Sequence, residues 1–182
     1  MLRLFVALDL TEEVRRRLAG LAGGVPGARW TEPETMHLTL RFIGEVPDDQ
    51  AMDIDAALAE LRVPAFSLTL DGVGVFGAGR KARVLWAGVE RSEALAHLQA
   101  KVESAIVRCG LPAEERKFSP HVTLARLKDA PADRIARFLS DRGLFRAGPM
   151  PVDHLTLYRS HLGNGGALYE ALGEYPLEPI AP

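Results

Sequence analysis

Apolar and polar residues follow two rhythms along this chain. Leu2 to Leu10 is almost continuously apolar and reads as a buried strand. Thr11 suits a helix N-cap, and Glu12 and Glu13 suit the positive end of the helix dipole. Val14, Leu18 and Leu21 then recur at helical spacing, and Gly23-Gly24 ends that helix. A Pro/Gly loop leads to Trp30 and a strand that carries His37. Pro47 and Asp48 open a second helix with Ala51, Ile54, Leu58 and Leu61 on one face, and Phe66, Leu68 and Leu70 alternate as a strand. The glycine-dense stretch Gly72 to Gly79 lacks the Lys-Ser/Thr of a phosphate-binding P-loop and reads as a mobile hairpin loop.

The order then recurs. Val84 to Val89 is a strand, Ser92 caps a long helix with Leu95, Leu98, Val102 and Ala105 inward, and a strand with His121 follows. Pro131 precedes a helix carrying Ile135, Phe138 and Leu139, and Val152 to Tyr158 is a strand again. Each half therefore reads strand–helix–strand–helix–strand. A duplication of this kind implies two similar lobes about a pseudo-two-fold axis, with a ligand cleft between them.

Composition narrows the classes. A length of 182 residues fits a single domain over 1–182, and 47% apolar with 25% charged residues is ordinary for a globular chain. The net charge of −2 argues against bulk electrostatic capture of nucleic acid, so an anionic ligand needs a local basic cluster. One cysteine, Cys109, excludes an internal disulfide framework, continues a helical apolar stripe and reads as core. No Cys/His spacing suggests zinc. No apolar run approaches the ~20 residues of a membrane span, and Asp9, Glu12 and Glu13 interrupt the N-terminal run too early for a signal segment. A cytoplasmic location and a monomer are the expectations.

The candidate chemistry lies in a repeated phrase. His37-Leu38-Thr39-Leu40 and His121-Val122-Thr123-Leu124 stand 84 positions apart, in the same slot of each half. On a strand, residues two apart share a face, so each phrase sets an imidazole beside a hydroxyl with aliphatic residues behind. Random placement would give about 0.2 His-x-Thr pairs in this chain. There are three, because His154-Leu155-Thr156-Leu157 repeats the phrase on the last strand. Arg41 has the parity of His37 and Thr39 and should face the cleft. Arg126 has the opposite parity to His121 and Thr123, and reaches the cleft only from a bulge or a strand end. Arg80, Lys81 and Arg83, with Arg116 and Lys117, could line one rim. Trp30, Phe42, Trp86 and Tyr158 are aromatic residues that could stack a base or fill the core. His97 reads as a solvent-facing helical residue and His161 as a surface residue in the loop around Gly163-Asn164-Gly165-Gly166.

Five blocks in order resemble the 2H phosphoesterase superfamily, and within it the RNA 2′,3′-cyclic phosphodiesterase family (ThpR or LigT, once described as 2′-5′ RNA ligases). They are Arg3-Leu4-Phe5-Val6-Ala7-Leu8; Trp30 with His37-Leu38-Thr39-Leu40-Arg41-Phe42-Ile43-Gly44; Arg83-Val84-Leu85-Trp86-Ala87-Gly88-Val89; Phe118-Ser119-Pro120-His121-Val122-Thr123-Leu124-Ala125-Arg126; and Leu157-Tyr158-Arg159-Ser160 through Gly166 and Tyr169. The resemblance implies an α+β fold of two lobes, antiparallel sheets lining a central cleft and helices outside. It implies no metal or organic cofactor.

It also implies roles: His37 as proton donor to the leaving 3′ oxygen, His121 as the base that activates water, and Thr39 and Thr123 on the phosphate, with Arg41 and Arg126 as further phosphate contacts. The family pattern has no catalytic histidine at the third copy, which makes His154 non-catalytic. The implied partner is RNA with a 2′,3′-cyclic phosphate end, tRNA fragments among the candidates. Ligation by the reverse reaction, another small cyclic phosphate, and a non-catalytic RNA-binding module remain alternatives.

Overall fold

The computed structural model describes residues 1–180; the last two residues of the expected 1–182 domain lie outside it. Strand β1 (Leu2–Asp9) leads to helix α1 (Glu12–Ala19). The Thr11 hydroxyl accepts from the Val14 N–H at 3.3 Å, as its position predicted. The helix is shorter than its apolar spacing suggested. It is capped at Gly20, and Leu21 packs from the following turn rather than from the helix. Then come β2 (Ala28–Trp30), a 3₁₀ turn (Pro33–Thr35), β3 (His37–Val46) and α2 (Asp48–Ala59). Strand β4 (Phe66–Phe76) takes in Gly72 and Gly74, with a bulge between Leu70 and Val73, so the hairpin loop expected over Gly72 to Gly79 begins only at Gly77. Gly74 has a packing reason: a Cβ there would come within 2.2 Å of the Trp86 ring.

A 3₁₀ turn (Gly79–Lys81) leads to β5 (Val84–Val89) and α3 (Glu93–Arg108). Ser92 caps α3, accepting from the Leu95 N–H at 3.1 Å. After β6 (His121–Leu127) and α4 (Ala132–Asp141) come β7 (Arg146–Val152), β8 (His154–Gly163) and β9 (Gly166–Pro176). The single strand expected from Val152 to Tyr158 is thus divided at Asp153. Strand β8 continues past it, so His161 lies in a strand and pairs with Glu170 across the hairpin at 2.8 Å.

The fold is α+β with antiparallel sheets, and the two sheets join into one, ordered β7-β4-β5-β6-β3-β1-β8-β9 with β2 on β6. The join is a single bridge, Leu38 opposite Val122, at the middle of the two repeated phrases. The sequence halves do not coincide with the sheet halves. Strand β4 leaves the first half to pair with β5 and β7, while β8 leaves the second half to pair with β1. The helices cross over likewise: α1 packs against β7, and α3 against β3.

One apolar core, including Leu38, Ile54, Leu85, Leu98, Val122 and Leu155, fills the space between the sheet and the helices. Burial of such side chains stabilises by about 1.5–3 kcal/mol each. No helix among the described residues is long and apolar enough to cross a membrane.

Candidate active site

Strands β3 and β6 each start on a motif histidine. Leu38 and Val122 are fully buried in the core, so His37, Thr39, His121 and Thr123 project from the opposite face. Antiparallel pairing about Leu38–Val122 sets His37 beside Thr123 and Thr39 beside His121. Two imidazoles and two hydroxyls thus alternate around one point at the seam of the sheet.

Both imidazoles are anchored alike. His37 Nδ1 lies 2.8 Å from the Thr35 carbonyl oxygen, and His121 Nδ1 lies 2.7 Å from that of Ser119. In each case the acceptor is two residues upstream. A carbonyl only accepts, so Nδ1 carries a proton and donates. This leaves Nε2 of each ring without a protein partner among the described residues. His37 stacks on Phe5 at 4.8 Å between centroids and meets Tyr169 edge-on at 5.4 Å. His121 meets Phe76 edge-on at 4.9 Å, with Trp86 at 6.4 Å. Burial pushes the His37 imidazole below its ordinary value. The Thr35 carbonyl and the Asp9 charge pull upward, the charges on Arg15 and His121 push down again, and the net direction is down.

The two arginines exchange the places that strand parity assigned them. In the β1–β3 ladder Ala7 pairs with Thr39 and Val6 with Arg41, so Leu40 is a bulged extra residue. Leu40 and Arg41 are both buried, and Phe42 takes the cleft face. Arg41 is therefore not placed to contact a phosphate in the cleft. Its guanidinium donates to Glu103 on α3 at 2.7 and 3.3 Å and to the carbonyls of Phe42 and Pro112.

Strand β6 carries the same bulge. Trp86 pairs with Thr123 and Leu85 with Ala125, leaving Leu124 extra. Leu124 and Ala125 are buried, and Arg126 emerges exposed on the face of His121 and Thr123. Arg126 stands between Arg29 on β2 and Val84 on β5 and has no ion-pair partner among the described residues. Arg80, Lys81 and Arg83 are exposed nearby on the strand's approach to Val84, whereas Arg116 is paired with Glu114 at 3.3 Å.

The third His-x-Thr copy does something different. On β8, His154 Nε2 lies 2.8 Å from Asp9 Oδ2, the Thr156 hydroxyl donates to Asp9 Oδ2 at 2.7 Å, and the Tyr158 hydroxyl donates to Asp9 Oδ1. His154 Nδ1 lies 2.7 Å from Asp153. Asp9, missed in the sequence, closes β1 and is the ladder partner of His37. Its signal was a charged residue ending a largely apolar strand. Asp9, His154 and Glu174 bring potential ligand atoms within 4.8 Å of one another, but the Asp9 oxygens and the His154 nitrogens already bond to protein partners.

Beside His37 opens a cleft of about 300 Å³ lined by Arg15, Tyr158, Leu168, Tyr169 and Ala171. Trp30 packs against Phe138 at 5.7 Å, Cys109 is part-buried at the end of α3, and His97 is exposed.

A curled antiparallel sheet with paired His-x-Thr strands at its seam is the architecture of the two-histidine phosphoesterases. A sequence profile of the 2′-5′ RNA ligase superfamily matches residues 12–164, and the chain belongs to that superfamily. It is 34% identical to an RNA 2′,3′-cyclic phosphodiesterase of Thermotoga maritima over 97% of this chain and 96% of that one. It is 37% identical to one of Thermus thermophilus, covering 97% and 90%. A crystal structure of E. coli LigT with 3′-AMP superposes with a TM-score of 0.78 at 29% identity, covering 97% of this chain and 98% of that chain.

Proposed function

We propose that this protein hydrolyses RNA 2′,3′-cyclic phosphate ends to 2′-phosphates by two-histidine acid–base catalysis without a metal. The observation that carries this reading is the matched anchoring of His37 and His121 through Nδ1, which leaves each Nε2 without a protein partner among the described residues, on two paired strands that also carry Thr39 and Thr123. The activity named for the relatives at 34% and 37% identity is in keeping with it.

In this reading His121 Nε2 takes a proton from water as the water oxygen bonds to phosphorus. The bond from phosphorus to the ribose 3′ oxygen breaks, and that oxygen takes the proton of His37 Nε2. Each such proton transfer supplies about 10²–10⁴-fold. Thr39 and Thr123 donate to the non-bridging oxygens, where charge is concentrated in phosphoryl transfer. The arriving anion also opposes the burial that lowers His37, favouring its protonated form once substrate is bound. Because the leaving oxygen belongs to the ribose, the terminal nucleoside lies on the His37 side, in the cleft between Arg15, Tyr158 and Tyr169. Arg126, Arg80, Lys81 and Arg83 take the preceding phosphates.

The test is a short RNA with a 2′,3′-cyclic phosphate incubated with the protein in EDTA. The expected product carries a 2′-phosphate, and His37→Ala and His121→Ala each lower the rate at least ~10²-fold. Turnover that requires added metal, or a 3′-phosphate product, refutes the mechanism. A 5′-hydroxyl RNA in the same assay reads out 2′-5′ ligation, in which the 5′ oxygen takes the place of water as nucleophile and the 3′ oxygen leaves as before.

A further inference from the structure

The third His-x-Thr copy is bound up with the site although it does not face the phosphate. His154, Thr156 and Tyr158 are alternate residues of β8, so all three present to one face, and all three donors converge on the Asp9 carboxylate. Asp9 pairs in register with His37 across β1–β3, which puts both side chains on the same side of neighbouring strands. With both oxygens accepting from β8, the carboxylate is fixed. Among the described residues it makes no hydrogen bond to His37, whose own Nδ1 is committed to the Thr35 carbonyl.

We propose that Asp9, clamped by His154, Thr156 and Tyr158, is a positioning residue for the reaction: its fixed negative charge beside His37 holds on that imidazole the proton that the leaving oxygen needs. The inference rests on the donor role given to His37 above. The clamp keeps the carboxylate from swinging to Nε2 and withdrawing the proton from the phosphate side. A field acts here where a direct hydrogen bond would compete with catalysis.

The surrounding charges agree. Burial raises the Asp9 carboxyl, but the donors on Tyr158, Thr156 and His154 outweigh it, so Asp9 remains an anion throughout the range in which a histidine titrates. His37 is faced by Asp9 from β1, Arg15 from α1, His121 from β6, and by Glu34, Tyr158 and Tyr169 around the adjoining cleft. Of the charges acting on it, Asp9 is the one that favours its protonated form, against Arg15 and His121. Asp9 in turn is faced by His154 and by the carboxylate of Glu174, each with an atom within 4.8 Å of an Asp9 oxygen, and Asp153 holds the other nitrogen of the His154 ring. Burial lowers the His154 imidazole, yet its bonds to Asp153 and Asp9 raise it overall, so a partial counter-cation moderates the Asp9 field.

Two substitutions in the full chain test this, each read by histidine ring NMR titration and by the pH profile of kcat/KM on an RNA 2′,3′-cyclic phosphate. Asp9→Asn keeps the shape and removes the charge; the His37 titration should move to lower pH, and the alkaline limb of the rate profile should move down with it. His154→Gln keeps a donor to Asp9 but removes the counter-cation, so both should move the other way. It also serves if Asp9→Asn fails to fold. A His37 titration that stays in place in the folded variants overturns the proposal, as does a rate lowered equally at every pH. If the His37 titration moves but the acid limb follows it, the coupling stands and the donor role of His37 falls.

Discussion

Arg41 is held by Glu103 in the core, and its replacement tests that structural role. In Arg41→Met the side chain keeps its apolar stem and loses the guanidinium, which is 6% exposed and holds Glu103 in two bonds. Removing one partner of a buried ion pair costs about 3–5 kcal/mol, mostly because the other charge is left stranded. The Glu103 side chain is 22% exposed, so water reaches it and the lower end applies, about 3 kcal/mol. For a chain of this size that is a fall in Tm of about 6–12 °C. The pH dependence has a definite sign. Burial raises the Glu103 carboxyl, but the bonds from Arg41 and the Glu114 N–H hold it below its ordinary value of 4.5. The stabilisation is therefore complete above about pH 4.5 and is lost as pH falls through the lower folded value. Urea unfolding at pH 7 and pH 3, with KM measured on a cyclic phosphate, checks it: a large stability gap at pH 7, a smaller one at pH 3 and an unchanged KM. Unchanged stability with KM raised more than about tenfold, the cost of losing roughly 1.4 kcal/mol of phosphate binding, would show that Arg41 reaches the substrate after all.

Gly74→Ala drives a methyl into the Trp86 ring and should cost about 1–3 kcal/mol, and it should lower kcat because Trp86 neighbours His121; denaturant melts and steady-state kinetics measure both. The folded His154 imidazole is raised above its ordinary 6.5, so its contribution is complete below that value and lost as pH rises through the folded one. The stability gap between wild type and His154→Gln should accordingly be wider at pH 6 than at pH 9 in parallel melts. Arg126→Gln should weaken RNA binding and reduce the slope of log affinity against log salt by about 0.7, the share of one phosphate contact; an unaltered slope would place Arg126 off the strand's path.

The strands of the site were legible because their signals are local. Caps at Thr11 and Ser92, the apolar run of β1 and the repeated phrases all lie within a few residues of what they determine. The arginines were misplaced because a bulge has no sign in simple alternation. Aligning the two copies would have exposed it: Leu124-Ala125 sets two apolar residues side by side where alternation asks for a polar one, and Arg126 falls in the slot of Phe42. The crossing of β4 and β8 between sheet halves was not legible either, since pairing partners more than 100 residues apart, such as Leu4 and Arg159, are chosen by the packed whole. The role of the third copy depended on Asp9, whose carboxylate meets β8 only after that crossing.

That crossing binds the two histidines to a common fate. With β4 in one half-sheet and β8 in the other, neither stretch of chain before or after α3 closes a sheet of its own. A nascent chain that has emerged only as far as β6 has both His-x-Thr phrases and no partner for the outer edge of β1, so Asp9 waits on β8, a strand made only after α4 and β7. Cut at the β5–α3 connection, the two pieces should be inert apart and regain activity when mixed, because β4 in one pairs with β7 in the other and β1 pairs with β8.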